Sequence, residues 1–242
     1  MLSSYLCQTV MKRKYKHLFF DLDHTLWDFD KNSETTLRIL YDEFLLTSFG
    51  IDDFSTFYKH YSRHNDRMWE RFRKGQMRRE ELRWKRMWHT LLEFKIADTT
   101  LAHQLSERYL ELLPIQTALT PHAKEILDHC KGRYQMHLIT NGFETTQWQK
   151  LRNAQLESYF EEVITSETSN SLKPHKEIFD YALSKTGATI EESLMIGDAL
   201  EIDILGAQQA GWDQVYYNPH KQAHQRKPTY EITCWKELIP LL

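Results

Sequence analysis

With 242 residues, of which 41% are hydrophobic and 27% charged, the chain is long enough to bury one sizeable α/β core and a smaller inserted or appended unit. A formal net charge of -3 and a pI near 6.5 exclude bulk attraction to nucleic acid or an anionic membrane, so any anion must be held by a local site. No apolar run approaches the ~20 residues of a membrane span. Cys7, Cys130 and Cys234 form no C-x-x-C or zinc-type spacing, which predicts free thiols in a reducing cytoplasm.

The first ten residues have neither a charged n-region nor a long apolar stretch, and Met11-Lys12-Arg13-Lys14 follows just ahead of the first strand pattern. Residues 1–14 therefore read as an N-terminal extension, with Met11 a candidate start. His17 to Phe20 (HLFF) is a short apolar run that hands over to the polar loop DLDHTL at Asp21, the pattern of a buried strand. From about Asn32 to Leu113, apolar residues recur at three- and four-residue spacing with almost no Gly or Pro. An all-helical insert is expected there, with Gly75 between the two arms of a helical hairpin and Pro114 closing the segment. Thr120-Pro121 reads as an N-cap and first-turn proline, opening a helix that runs to about Lys131 and stops at Gly132.

Alternating elements follow. Strands are expected at Gln135–Thr140, Val163–Ser166, Ser193–Gly197 and Gln214–Tyr217, with helices from about Glu144, from His175 to Lys185 and from Ile202 to Ala210. Helices between strands imply right-handed parallel crossovers and a sheet covered on both faces. A polar loop over 218–228, a short strand at Tyr230–Thr233 and a helical turn from Trp235 complete the chain. The expected fold is α/β: a doubly wound parallel sheet formed by residues 15–30 and 115–242, with a helical cap at 31–114 inserted in it.

In open parallel sheets, ligands sit at the carboxyl ends of the strands. Here those ends deliver Asp21 and Asp23, then Thr140 and Asn141, then Lys173 some residues after its strand, then Asp198 followed by Glu201 and Asp203. Several carboxylates at one sheet edge repel unless a cation lies among them, and oxygen-only ligands suit hard Mg²⁺ better than zinc. A lysine and a hydroxyl beside that metal make sense if an anion with several acceptor oxygens also enters, which describes a phosphate clamp. The Asp-x-Asp spacing lets Asp21 attack phosphorus while Asp23 gives a proton to the leaving oxygen and takes one from water.

The strings FFDLDHTL, LITNG, LKP and MIGDALEIDILGAQQAG occur in the order of the four motifs of the haloacid dehalogenase-like (HAD) hydrolase superfamily, which the chain resembles from about residue 15 to 240. The resemblance implies a HAD-like core and Asp21 as nucleophile and metal ligand. It implies Asp23 as general acid/base, binding metal through its main-chain carbonyl, and Asp198 as the third protein ligand of Mg²⁺. Thr140 and the Asn141 backbone would bind the phosphoryl group, Lys173 would offset its charge, and Asp203 would support the metal shell. The strings TLWDFD, TNGF and KPHKEIFDYAL resemble the pyrimidine 5′-nucleotidase subgroup, implying a small phosphomonoester as partner. Alternatives are a phosphatase of a sugar phosphate or phosphoglycolate, a phosphomutase, and a haloacid dehalogenase, which needs neither Asp23 nor Mg²⁺.

Trp27, Phe29 and Phe143 either contact substrate or pack. Glu201 either supports the metal shell or begins a helix. Trp69, Phe72, Trp84 and Trp88 recur at helical spacing and are expected to be mostly insert core, with one left to line a pocket. The rows Arg63, Arg67, Arg71, Lys74 and Arg79, Arg83, Arg86 are interleaved with Glu70, Glu80 and Glu81, the pattern of a solvated face. None of the twelve histidines shows metal-ligand spacing, and none is expected in the site.

Overall fold

The computed structural model describes residues 14–242, so Cys7, the candidate start at Met11 and all of the expected extension except Lys14 lie outside the described residues. Six parallel strands form one sheet: β1 (His17–Phe20), β2 (Gln135–Thr140), β3 (Glu162–Thr165), β4 (Ser193–Gly197), β5 (Asp213–Tyr217) and β6 (Tyr230–Ile232). Their spatial order is β3-β2-β1-β4-β5-β6, so β1 lies at the centre where the order reverses direction. Because side chains alternate across a strand, Leu18, Phe20, Leu138, Leu194 and Ile196 join one buried cluster, while Phe19, Ile139 and Met195 join another.

Among the described residues, eight α-helices accompany the sheet. Four lie between β1 and β2: α1 (Phe29–Glu43), α2 (Phe54–Arg73), α3 (Arg79–Glu93) and α4 (Thr99–Leu112). Carboxylate N-caps fix three of their starts, with Asp28, Asp53 and Asp98 accepting from first-turn backbone N–H groups. Gly75, at φ +67°, turns the chain between α2 and α3 as expected of the hairpin. Leu37, Leu40, Phe57, Tyr61, Leu91 and Tyr109 of these helices are continuous with the apolar cluster of one sheet face. That face is also covered by α5 (Ala123–Cys130) and α6 (Glu144–Asn153); α7 (Lys176–Thr186) and α8 (Leu205–Gln209) pack on the other. Both faces are therefore covered, as the alternation predicts.

Two helix starts differ from expectation. Thr120 does not cap α5: its hydroxyl donates to Thr25 O at 2.7 Å and accepts from Trp235 Nε1 at 3.0 Å, and the helix begins at Ala123 after a turn whose His122 sits at φ +68°. Where a helix is expected from Ile202, residues Leu200–Ile204 form a single π-helical turn before α8, with Leu205 N donating five residues back to Leu200 O. Among the described residues, no helix is long and apolar enough to cross a membrane.

Candidate active site

The loop after β1 places two acids side by side. Asp21 continues the β1–β4 ladder through its N–H to Ile196 O at 2.9 Å, Leu22 is fully buried beneath, and alternation returns Asp23 to the same side. His24 at φ +63° and the bonds from Leu26 N and Trp27 N to Leu22 O, each 2.9 Å, close the loop and aim Thr25 at the end of β4. There the Thr25 hydroxyl donates to Asp198 Oδ1 at 2.7 Å and accepts from Asp198 N at 3.1 Å.

Lys173 binds this edge together. It is 1% exposed, and its ammonium donates to Asp21 Oδ1 at 2.6 Å and Ile139 O at 2.7 Å, and pairs with Asp203 Oδ1 at 2.7 Å. The other Asp203 oxygen accepts from Ala199 N at 3.0 Å, and the carboxylate packs directly under Gly197. Asn141 fixes the lysine's backbone, its amide accepting from Lys173 N at 2.7 Å and donating to Lys173 O at 2.9 Å.

Carboxylate oxygens of Asp21, Asp198 and Asp203 all lie within 4.8 Å of one another, while the Asp23 side chain stands outside this cluster. Burial pushes the Asp21 and Asp198 carboxyls well above the ordinary range; Lys173 opposes the shift and neighbouring carboxylates add to it. Although burial disfavours its charge, Asp203 and Asp21 hold the Lys173 ammonium above its usual value. Three clustered carboxylates, Asp21 and Asp203 buried and Asp198 half-buried, against one lysine carry excess negative charge, and their all-oxygen donor set fits a hard divalent cation.

Asp23 has other partners. Lys150 donates to its Oδ1 at 2.6 Å, and Gln147 Nε2 donates to its Oδ2 at 3.1 Å and to Thr140 Oγ1 at 2.7 Å. With Gly142 N also donating to Thr140 Oγ1 at 3.1 Å, both acceptor positions of that hydroxyl are filled and its proton is free to donate into the cavity.

These groups line a cavity of about 260 Å³ whose far wall comes from α2 and α3. Asp21, Asp23, Thr140, Asn141, Lys173, Asp198 and Asp203 all line it, as do Phe29 and Phe143. Trp27 does not: it is fully buried, donating from Nε1 to Gln116 O at 3.2 Å, so its role is packing. Glu201 turns outward to Arg226, with contacts of 3.0 and 2.7 Å, away from the site. Trp69 lines the cavity and packs with Phe72 against Phe143, whereas Trp84 and Trp88 pack against the insert's own core.

Sequence reasoning missed several lining residues. Arg86, assigned to a solvated face, is 5% exposed and donates from Nη1 to Asn65 Oδ1 at 2.9 Å. His24, although exposed, is also on the wall, against the expectation that no histidine would be. Gln147 and Lys150 did leave a signal: at three-residue spacing, next to Leu151, they put two polar groups on the stripe of α6 that faces the core. The α2–α3 residues left none, because a buried polar side chain and a solvated one read alike.

A family model for haloacid dehalogenase-like hydrolases matches residues 15–211. The chain belongs to that family. Among curated proteins, it is 32% identical to the pyrimidine 5′-nucleotidase PynA of Streptococcus pneumoniae, over 94% of this chain and 95% of that one. It is 31% identical to the pyrimidine 5′-nucleotidase YjjG of Escherichia coli, over 95% and 98%. A magnesium-bound crystal structure of the HAD-hydrolase YfnB of Bacillus subtilis superposes with a TM-score of 0.85 at 29% identity, covering 95% of this chain and 99% of that one. The parallel sheet with its helical insert is thus a HAD hydrolase fold.

Proposed function

We propose that this HAD hydrolase is a Mg²⁺-dependent phosphomonoesterase acting through an aspartyl phosphate, with pyrimidine nucleoside 5′-monophosphates as substrates. The observation that carries the reading is the bridge from Lys173 to Asp21 and Asp203, with Asp198 completing the carboxylate cluster and Thr140 offering a donor on the other side. Asp21, Asp198 and the Asp23 carbonyl would hold the metal, with Asp203 bracing them from behind. The bound ion would neutralise charge on the phosphoryl oxygens.

Asp21 attacks phosphorus as the bond to the leaving oxygen breaks, and Asp23 gives that oxygen its proton. Water then attacks the phosphorus of the aspartyl phosphate, passes a proton to Asp23, and releases phosphate with Asp21 restored. Thr140, the Asn141 backbone and Lys173 stabilise the transferring group throughout. The helices over 31–114 form the cap, whose Trp69, Asn65 and Arg86, with Phe29 and Phe143 also on the cavity wall, would meet the nucleoside. Similarity to two pyrimidine 5′-nucleotidases over nearly their whole lengths supports the substrate class. Free Cys130 and Cys234 agree with a cytoplasmic location.

The test is phosphate release from a panel of nucleotides and sugar phosphates, with and without Mg²⁺. Uridine and thymidine 5′-monophosphates are expected to exceed purine nucleotides and phosphoglycolate, and Asp21→Asn to fall to background. Equal turnover in excess chelator, or an active Asp21→Asn chain, would overturn the mechanism. A flat panel would remove the nucleotide assignment alone.

A further inference from the structure

Lys150 is a cation in a place that water barely reaches. It is 3% exposed, its ammonium lies 4.3 Å from the centre of the Trp27 ring and 5.7 Å from that of Phe29, and its carboxylate partner is Asp23, at 2.6 Å. Burying an ammonium costs several kcal/mol unless an anion compensates it; here the anion is the side chain read as the general acid/base. Trp27 is itself fully buried and tied to Gln116 O, so the lysine packs against an aromatic wall held in place by the core. The second Asp23 oxygen has a weaker partner, the neutral Gln147 amide at 3.1 Å, which also holds Thr140.

We propose that Lys150 is a positioning residue for proton transfer to the leaving group, fixing Asp23 through Oδ1 so that Oδ2 is the oxygen that carries the proton. This rests on the phosphatase reading above. The Oδ2 proton passes to the bridging oxygen as its bond to phosphorus breaks, leaving Asp23 ionised between Lys150 and Gln147. The water that then attacks phosphorus returns a proton to Oδ2. Without Lys150 the carboxyl group keeps only the weaker Gln147 contact, and the proton is no longer aimed.

A purely structural ion pair between α6 and the catalytic loop would affect every substrate equally; a positioning role depends on the leaving group. p-Nitrophenolate departs as a stable anion without a proton, whereas a nucleoside 5′-hydroxyl needs one. Lys150→Met is therefore expected to lower kcat on uridine 5′-monophosphate by about 30-fold with little change in KM, less than the ~10²–10⁴-fold that a general acid supplies because Asp23 itself remains. The kcat/KM ratio of p-nitrophenyl phosphate to nucleotide, which reports phosphoryl transfer and not the shared hydrolysis of the aspartyl phosphate, should rise about tenfold or more, and Lys150→Arg, which keeps the charge, should bring it most of the way back to the wild-type value. Parallel losses on both substrates, or an unchanged ratio, would overturn the proposal. Should the methionine chain not fold, the ratio is read on Lys150→Gln, which keeps a donor but not the charge and is expected to raise it about threefold or more; no rise there would also overturn it. A wild-type chain that turns over neither substrate would instead defeat the phosphatase reading.

Discussion

At Gly197, which ends β4, an added Cβ would collide with the carboxylate of Asp203, a fully buried group held between Lys173 and Ala199 N. Backbone there cannot give way without moving the carboxylate cluster. Gly197→Ala is expected to push Asp203 off Lys173, to cost about 1–3 kcal/mol of stability as overpacking does, and to raise the Mg²⁺ concentration needed for half-maximal activity. Urea unfolding and a Mg²⁺ titration measure the two effects. Gly75→Ala is the contrast: nothing lies within 4 Å of its added Cβ, and only the φ of +67° is strained, so a loss of about 1 kcal/mol with no change in Mg²⁺ requirement is expected. Asp21, Asp23, Thr140 and Asp198 were legible in the sequence because each directly ends or follows a short apolar strand. Glu201 and Asp203 were not separable by spacing alone. The π-turn divides them, sending Glu201 to Arg226 and Asp203 to Lys173, and such a turn leaves no periodic signature.

Among the elements, the insert was legible as helices and illegible as a cavity wall. Periodicity locates an apolar stripe, but a polar residue inside the bundle counts as part of the solvated face. Arg86 shows this: Glu80 and Glu81 precede it in the sequence, yet its guanidinium lies 5.6 Å from the centre of the Tyr109 ring on α4 and bonds Asn65 on α2. Its Nε has no hydrogen-bond partner and it lines the cavity, so a ligand acceptor would relieve an unsatisfied buried donor. Arg86→Gln is expected to raise KM for uridine 5′-monophosphate about tenfold, equivalent to about 1.4 kcal/mol, while p-nitrophenyl phosphate, which lacks the nucleoside's acceptors, is affected much less. Steady-state kinetics on both substrates decide it; equal effects would make Arg86 a structural strut between three helices.

Over the whole molecule, parallel strands and crossovers followed from alternating apolar runs and helices, and the central place of β1 follows from its burial on both faces. What alternation could not disclose is which polar side chains that burial encloses. His17 on β1 and His137 on β2 are 6% and 2% exposed, with Nδ1 of the first 3.1 Å from Nε2 of the second and their rings stacked 5.4 Å apart. Burial, and then the charge of His17, lower His137 from 6.5 to about 4; burial lowers His17 as well. In the unfolded chain His137 takes a proton near pH 6.5, whereas in the fold it does so only near 4, so the unfolded state binds more protons between those values. Stability contributed by the neutral ring is therefore present above pH 6.5 and lost progressively as pH falls towards 4, at up to about 1.4 kcal/mol per pH unit for one proton. Asp21 and Asp198 act in the opposite sense, since carboxyls raised in the fold lose a burial penalty on acidification. They are common to wild type and a His137→Phe chain, so the difference between the two isolates the histidine. With urea midpoints converted to free energies at pH 7 and pH 5 under equal Mg²⁺, the wild type is expected to lose more stability on acidification than His137→Phe. Equal losses would show that His137 titrates alike in the folded and unfolded states.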